Sequence, residues 1–448
     1  MFMTTNGMQL ELEMLTCRNG LPTARIDLGS KQLLLHSSYN PEQEALRQVE
    51  PLSLEEGDVV LIYGLGLGYH VKAILNKIGS RGQVVIFQQN TALAAKLANT
   101  GPAAEVLADP RVELVAEDNM QLLAAQLKYC MEIMLEVDGK FFLHRPSLEI
   151  LPPEFQRLRV ALQDWEVARG TIQRFGSLLE ENLRVNLPVC RELPAVSSFF
   201  GQFKDVPIIV VAAGPSLDNE FEHLRQVGNK ALILAVGTSV RPLLRNGIEP
   251  HMIIVTDPQG EVFKQLEGLS LQVPLIVLPS VYPQVLQNYS GPRIVAWQKG
   301  INLSGQEPWA SEDDLIETGG SVATTACDIA IRMGGWPVIF VGLDLGYPMG
   351  KNHAYGTTYW YRKIIDRHCL ELPSNDGKTV LTVKNYNYMR RWLEGRIRRE
   401  PAIEFINTSQ QGAFIQGTRI MAFQECLHRW INRDRNVQSL IKQLLQPV

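Results

Sequence analysis

The stretch Val206–Asp257 constrains this chain more than any other. It reads VPIIVVAAGPSLDNEF and, further on, ALILAVGTSVRPLLRNGIEPHMIIVTDPQ. Two apolar, β-branched runs each end in a small-residue turn that opens a helical stretch. A third run, MIIVTD, ends on a carboxylate. Short continuous apolar runs bounded by turn residues are the pattern of strands buried on both faces of a parallel sheet. The chain is therefore expected to be of the α/β class. Ligands of open α/β sheets sit at the carboxyl ends of the strands. The pattern predicts that Gly214, Pro215, Ser216, Gly237, Thr238, Ser239 and Asp257 line one crevice. Small residues there let a phosphorylated ligand approach the backbone, and the helix start after Ser216 favours an anion.

At 448 residues the chain is expected to form two or three domains. Charged residues are 20% of the total and the net charge is −4. No basic stripe of the kind that grips duplex nucleic acid is present. The opening MFMTTNGMQLELEML lacks a basic region followed by an apolar stretch, so no signal peptide is expected. No apolar run is long enough for a membrane-spanning helix. Cys17, Cys130, Cys190, Cys327, Cys369 and Cys426 show no CxxC spacing. Free thiols in a reducing, cytoplasmic compartment fit that pattern.

Residues 1–150 read as a smaller N-terminal α/β domain. A weakly alternating preamble precedes a strand at Asp58–Ile62, the turn GLGLGYH, a helix and a strand at Gln83–Phe87. Gly64, Gly66 and Gly68 resemble a dinucleotide or S-adenosylmethionine turn. Tyr69 stands where a third glycine belongs, and Gln88 and Gln89 stand where a ribose-binding acid would be. Two readings stay open: a cofactor site, or a degenerate scaffold whose glycines permit tight packing. Residues 151–200 form a helical connector, with apolar residues at helical spacing in two helices or one long bent one. Residues 201–417 form the central domain, with strands expected at Ile208–Ala212, Leu232–Val236, Met252–Thr256, Leu275–Leu278, Ile294–Trp297 and Val338–Val341. Residues 418–448 complete the chain as a helical tail.

Four motifs of the central domain carry chemistry. In AAGPSLD, Gly214 supplies a tight turn and Pro215 suits a first helical position, where its missing N–H is no loss. Ser216 and neighbouring amides then either take a phosphate or merely cap the helix. In TDPQ, Asp257 either binds a ribose hydroxyl or a divalent cation, or caps the next helix. In ETGGSVATTACDIAIRMG, the amides of Gly319, Gly320 and Ser321 form a second anion cradle or a small-residue packing turn. In VGLDLGYPMGKNHAYGT, Asp344 ends a strand and His353 sits in a Gly- and Tyr-rich loop. A histidine there is placed as a general base or is a solvated loop residue. Tyr355, Tyr359, Trp360 and Tyr361 either stack on a base or sugar, or form a small core of the loop.

Taken in order, AAGPSLD, RNGIEPHMIIVTDPQ, TGGSVAT and VGLDLGY…KNHAYGT resemble the motility accessory factor proteins, which are flagellin glycosyltransferases. Their central domain is shared with archaeal 6-hydroxymethylpterin diphosphokinases. INTSQQGAFIQGT resembles the closing segment of that family, with Gln410 and Gln411 where an acidic residue and a glycine are expected. The resemblance implies a Rossmann-like central domain similar to bacterial sialyltransferases. It implies transfer of a nonulosonic acid, such as pseudaminic or legionaminic acid, from its CMP-activated form to Ser or Thr hydroxyls of flagellin. On that reading Gly214, Pro215 and Ser216 hold the CMP phosphate, and Thr238 and Ser239 face the ribose or cytosine. Gly319, Gly320 and Ser321 meet the sugar carboxylate or phosphate, and His353 takes the proton of the acceptor hydroxyl. No cofactor is obligatory, although Asp257 or Asp344 offers a divalent cation a ligand. The alternatives are ATP-dependent diphosphoryl transfer to a pterin alcohol through Mg²⁺ on those two carboxylates, and an inactive flagellin-binding protein.

Overall fold

The computed structural model describes residues 2–3, 9–29, 31–136, 139–299, 311–358 and 369–446. The chain forms two compact units, Met1–Arg174 and Phe175–Val448. The boundary falls inside one continuous helix, Gln156–Cys190, where two helices or a bent one were equally compatible with the sequence. Among the described residues, no helix is long and apolar enough to cross a membrane.

The first unit opens with an antiparallel sheet built from Phe2–Met3, Gln9–Thr16, Pro22–Asp27 and Gln32–Leu34. A helix, Pro41–Val49, follows. Asn40 starts it by accepting a hydrogen bond from the Gln43 N–H, with Pro41 in the first turn. Beyond it lies a four-stranded parallel sheet in the order Val112–Glu117, Gln83–Gln89, Val59–Tyr63 and Lys140–Leu143. The helix Tyr69–Ile78 starts directly after Gly68.

The second unit is organised by an eight-stranded sheet. Its order is Arg293–Val295, Leu275–Val277, Met252–Val255, Leu232–Val236, Ile208–Val211, Val338–Val341, Phe405–Asn407 and Arg419–Ile420. Every pairing is parallel. The apolar runs are continuous because both faces are covered. Ile209 and Val211 enter one core layer, Ile208 and Val210 the other, and all four are fully buried. Successive strands run outward from 208–211 in one direction as far as 293–295. The chain then returns to lay 338–341 on the other side of 208–211. The order therefore reverses between strands 208–211 and 338–341, the position where such sheets open a crevice.

The six strands expected in this region are all present, with ends within two residues. The tail differs from expectation. Arg419–Ile420 joins the sheet as its last strand, and the remainder splits into two helices, Phe423–Arg429 and Val437–Leu444. Asn436, at φ 52°, sits in the left-handed region as the residue that caps the start of the second of these helices. Ahead of the tail, Leu370–Pro373 and Thr379–Thr382 pair as an antiparallel hairpin.

Two buried asparagines of the long helix pin the loops that follow the third and fourth strands. Asn182 Nδ2 donates to Pro258 O (2.9 Å) and Ser280 O (3.1 Å). Asn186 Nδ2 donates to Pro279 O (2.9 Å) and Val281 O (2.7 Å). Loop carbonyls removed from water are thereby satisfied by side chains.

Candidate functional site

A cleft of about 190 Å³ opens at the carboxyl ends of strands 208–211, 232–236 and 338–341. It is lined by Gly214, Thr238, Ser321, Asp344 and His353 of the expected residues, together with Asn352, Tyr386 and Met389. Its volume lies below the 300–1,000 Å³ usual for whole ligands, so it accommodates one ring-sized portion of a larger one.

Asp344 organises the floor. It is almost fully buried, three residues beyond the end of its strand rather than on it. Its Oδ2 accepts the Ser216 N–H at 2.9 Å, and its Oδ1 accepts the Ser409 hydroxyl. Ser409 Oγ in turn accepts the Gly412 N–H at 3.0 Å, and Asp344 O accepts the Ala413 N–H at 2.7 Å. The segment Ile406–Thr418 is thus tied to the floor of the cleft through Ser409, a role that its sequence did not reveal. Burial pushes the Asp344 carboxyl above the usual carboxylate range, opposed by the hydrogen bonds from Ser216 and Ser409.

This arrangement corrects the expected role of the AAGPSLD turn. Gly214 has an ordinary extended backbone, and Pro215–Asn219 is a short 3₁₀ helix rather than the start of an α-helix. Pro215 is buried, and the Ser216 amide faces Asp344 rather than an open phosphate cradle. A Cβ on Gly214 would lie 2.3 Å from Asp344 Oδ2 and 2.6 Å from Gly342 O. The glycine admits a carboxylate of its own chain. Gly214→Ala is therefore expected to cost about 1–3 kcal/mol through overpacking, read as a lower urea midpoint. An unchanged midpoint would mean that Asp344 moves aside freely.

The Thr-Gly-Gly-Ser turn also differs from expectation. The amides of Gly319 (3.0 Å) and Ser321 (3.2 Å) both donate to Thr324 Oγ1, and Ser321 Oγ accepts the Thr324 N–H at 3.2 Å. Two of the three amides read as a cradle are thus closed into the cap of the helix Val322–Arg332. Gly319 is buried beneath Trp392, whose ring would stand 2.4 Å from an added Cβ. Gly320 supplies the left-handed φ of 79° that the turn requires. What faces the cleft is the start of the helix itself: Ser321, Val322 and Ala323. The first N–H groups of a helix have no partner within it, so this end still favours an anion. Behind the turn, fully buried Asp328 accepts the Glu317 N–H and pairs with Arg396 (2.6 Å) and Arg332 (3.0 Å).

Thr238 lines the cleft, and its hydroxyl accepts from Gln265 Nε2 at 3.1 Å. Ser239 does not reach it. Its buried hydroxyl donates to Val211 O (3.0 Å) and Val236 O (2.8 Å), locking the helix Gly237–Arg245 onto two strands. Gly237 is buried against Gln265 and Val255. Asp257 does not line the cleft either. Its Oδ1 accepts the Gln259 N–H at 2.9 Å, so it caps the turn that Asn182 holds in place.

The loop carrying His353 is fastened to the first turn. The Ala354 N–H donates to Ala213 O (2.9 Å), and the Tyr355 N–H donates to Asp218 Oδ1 (2.8 Å). Two motifs far apart in sequence are thereby joined, with half-buried His353 facing the cleft. Leu345, next to Asp344, has φ 46°. A bulky residue in the left-handed region is strained, and such residues gather at functional sites. Tyr355 is 68% exposed and does not line the cleft. Tyr359, Trp360 and Tyr361 lie outside the described residues. Among the described residues, Tyr386, from the helix Lys384–Arg398, brings an aromatic side chain to the cleft.

In the first unit, the turn Gly64–Gly68 is filled by protein. The Leu65 N–H donates to Gln88 Oε1 (3.0 Å), and the Leu67 N–H donates to His36 Nε2 (2.9 Å). A Cβ on Gly66 would meet His36 Nε2 at 2.6 Å, and one on Gly64 would meet Ser147 Cβ at 2.4 Å. The glycines admit side chains where a dinucleotide turn admits pyrophosphate, which favours the scaffold reading. His36, His70 and His144 form the buried group among the described residues whose composition suits a metal ion. Two of its lone pairs are engaged: His36 Nε2 accepts from Leu67, and His144 Nδ1 lies 2.7 Å from Ser147 Oγ.

Known proteins resemble this chain as follows. An uncharacterized protein of Treponema pallidum (strain Nichols) is 21% identical over 340 residues, covering 72% of this chain and 58% of the relative. A second uncharacterized protein of that organism is 25% identical over 158 residues, covering 28% of this chain and 40% of the relative. The chain thus spans about half the length of the curated relatives it matches. A solved structure described as a MAf glycosyltransferase from Magnetospirillum magneticum AMB-1 aligns with a TM-score of 0.49 at 17% identity. That alignment covers 97% of this chain and 73% of that one. Residues 181–350 match the family model described as 6-hydroxymethylpterin diphosphokinase MptE-like, a match that ends short of Asn352 and His353. Residues 181–350, around the centre of the large parallel sheet, are therefore similar to the MptE-like family.

Proposed function

We propose that this protein is a cytoplasmic glycosyltransferase that moves a nonulosonic acid from its CMP-activated form to Ser or Thr hydroxyls of flagellin. The observation that carries this reading is the meeting of His353 with Gly214, Thr238 and Ser321 around one cleft that Asp257 does not enter. The order of the four motifs supports the same assignment. In the reaction, the bond between the anomeric carbon and the CMP phosphate oxygen breaks. A bond from that carbon to the acceptor oxygen forms, and the hydroxyl proton passes to His353. CMP leaves with its own low-pKa phosphate, and the carboxylate of the sugar offsets the developing positive charge. The protein chiefly positions the partners and accepts one proton. The start of the helix Val322–Arg332 suits an anionic group of the donor, and Thr238 suits its ribose or base.

A second reading has one observation in its favour: the matching family model is described as a diphosphokinase. Phosphoryl transfer needs carboxylates free to hold Mg²⁺ between phosphates. Both oxygens of Asp344 are hydrogen-bonded, and Asp257 caps its own turn, which favours the glycosyltransferase.

Thermal shift separates the readings. CMP or CTP at a hundred times its Kd is expected to add about 2.7 kcal/mol to the native state. At roughly 2–4 °C per kcal/mol for domains of this size, the shift is easily measured and is independent of Mg²⁺. A shift with ATP and Mg²⁺ alone would transfer the case to the diphosphokinase. No shift with either would leave the inactive flagellin-binding protein as the better account.

A further inference from the structure

We propose that the Asn352 carboxamide reads the donor substrate, its Oδ1 accepting a hydrogen bond from an N–H or O–H of the bound CMP-activated sugar. The inference rests on the glycosyltransferase reading and deepens it. Asn352 lines the cleft, is 7% exposed, and among the described residues has no hydrogen-bond partner for Oδ1. Its neighbours in the cleft are differently situated. Thr238 accepts from Gln265, Ser321 from Thr324, and Asp344 from Ser216 and Ser409. A buried carbonyl oxygen without a donor is a liability to the empty fold and asks for an explanation. The backbone on one side of Asn352 is fixed, because Ala354 is buried and its N–H is bound to Ala213 O. The backbone that carries Asn352 and His353 is therefore anchored to the turn after strand 208–211 before any ligand arrives.

The chemistry of an amide oxygen limits what it recognises. An ionised phosphate or carboxylate offers only acceptors and cannot satisfy it. A sugar hydroxyl, an acylamino N–H or a base amino group can. Asn352 thus complements the anion-favouring helix start that lines the same cleft. The helix start suits the charged part of the donor, and Asn352 suits a neutral hydrogen-bond donor that distinguishes one sugar nucleotide from another.

Asn352→Leu tests this, because leucine nearly fills the same space and forms no hydrogen bond. The measurements are the urea midpoint of the empty protein and calorimetric binding of CMP-N-acetylneuraminic acid and of CMP. The variant is expected to match or exceed the wild-type midpoint, since an unsatisfied buried group has been removed. Its Kd for the CMP-sugar is expected to rise about tenfold or more. An equal rise for CMP alone would assign the hydrogen bond to the nucleotide half of the donor; a rise confined to CMP-N-acetylneuraminic acid would assign it to the sugar. Wild-type affinity in a stable variant overturns the inference while leaving the glycosyltransferase reading intact. A clearly lower midpoint marks Asn352 as structural and overturns it too. A wild-type protein that binds neither compound overturns the glycosyltransferase reading and this inference with it.

Discussion

Replacing His353 by alanine is expected to lower sugar transfer to flagellin by about 10²–10⁴-fold, the usual contribution of one positioned acid or base. Nucleotide binding is expected to survive, because the substitution leaves Thr238, the start of the helix Val322–Arg332 and the neighbouring Asn352 side chain in place. The loop should persist as well. Its anchors are the backbone N–H groups of Ala354 and Tyr355, which the substitution does not touch. The two readouts therefore part company: the CMP-induced thermal shift stays, and transfer from a CMP-nonulosonic acid collapses. His353→Gln serves as the second variant, keeping a polar group of similar reach that cannot accept a proton near neutral pH. Transfer by either variant within a few-fold of wild type would remove His353 from the chemistry. Loss of the nucleotide shift together with transfer would instead make it a binding residue.

How much of this site could be read from the sequence depends on the range of the contact involved. Strand Ile208–Val211 was legible because all four residues are buried on one face or the other, leaving an unbroken apolar run. The turn after it was legible too, since Gly-Pro-Ser has few other uses at a strand end. Its purpose was not. The group that requires Gly214 to be small is Asp344, and nothing local to AAGPSLD indicates where that carboxylate will arrive. Ser409 was hidden for the same reason. By contrast, the closure of the Thr-Gly-Gly-Ser turn was open to local reasoning. Ser321 and Thr324 stand three apart at a helix start, the spacing of a capping box. Arg419–Ile420 could not be recognised as a strand, since two residues carry no periodicity. It pairs only because strand Phe405–Asn407 offers an edge.

Acidification is expected to destabilise the first unit between about pH 6.5 and 4, and the cause lies under the glycine-rich turn. His36, His70 and His144 are buried together, with the His70 and His144 rings stacked at 4.5 Å. Burial lowers the pKa of all three, that of His70 to about 4, against an ordinary value of 6.5. Glu44, with Oε2 3.8 Å from His36 Nδ1, is the carboxylate paired with the group, and Phe142 and Tyr69 complete its aromatic walls. The sign follows from the depressed values. The unfolded chain takes up protons first, so the stabilising contribution is complete above pH 6.5. It falls as the pH drops toward the folded pKa. Each such histidine weakens the fold by up to 1.36 kcal/mol per pH unit. His70 alone then contributes a loss of roughly 3 kcal/mol across the window. His36 and His144 act in the same direction. A proton on His36 Nε2 also removes the acceptor for the Leu67 N–H, so the turn itself is expected to open first. His251 in the second unit is lowered to about 4 by burial as well, so a whole-chain unfolding curve would mix two effects. Native-state hydrogen exchange read by mass spectrometry at pH 7 and pH 5 resolves them. Peptides spanning 59–78 should lose protection at pH 5. His70→Phe keeps the stacked ring but cannot titrate, and should make the stability of the first unit less dependent on pH by about one proton. Equal protection of residues 59–78 at the two pH values, once corrected for intrinsic exchange, would show that the cluster does not govern this turn.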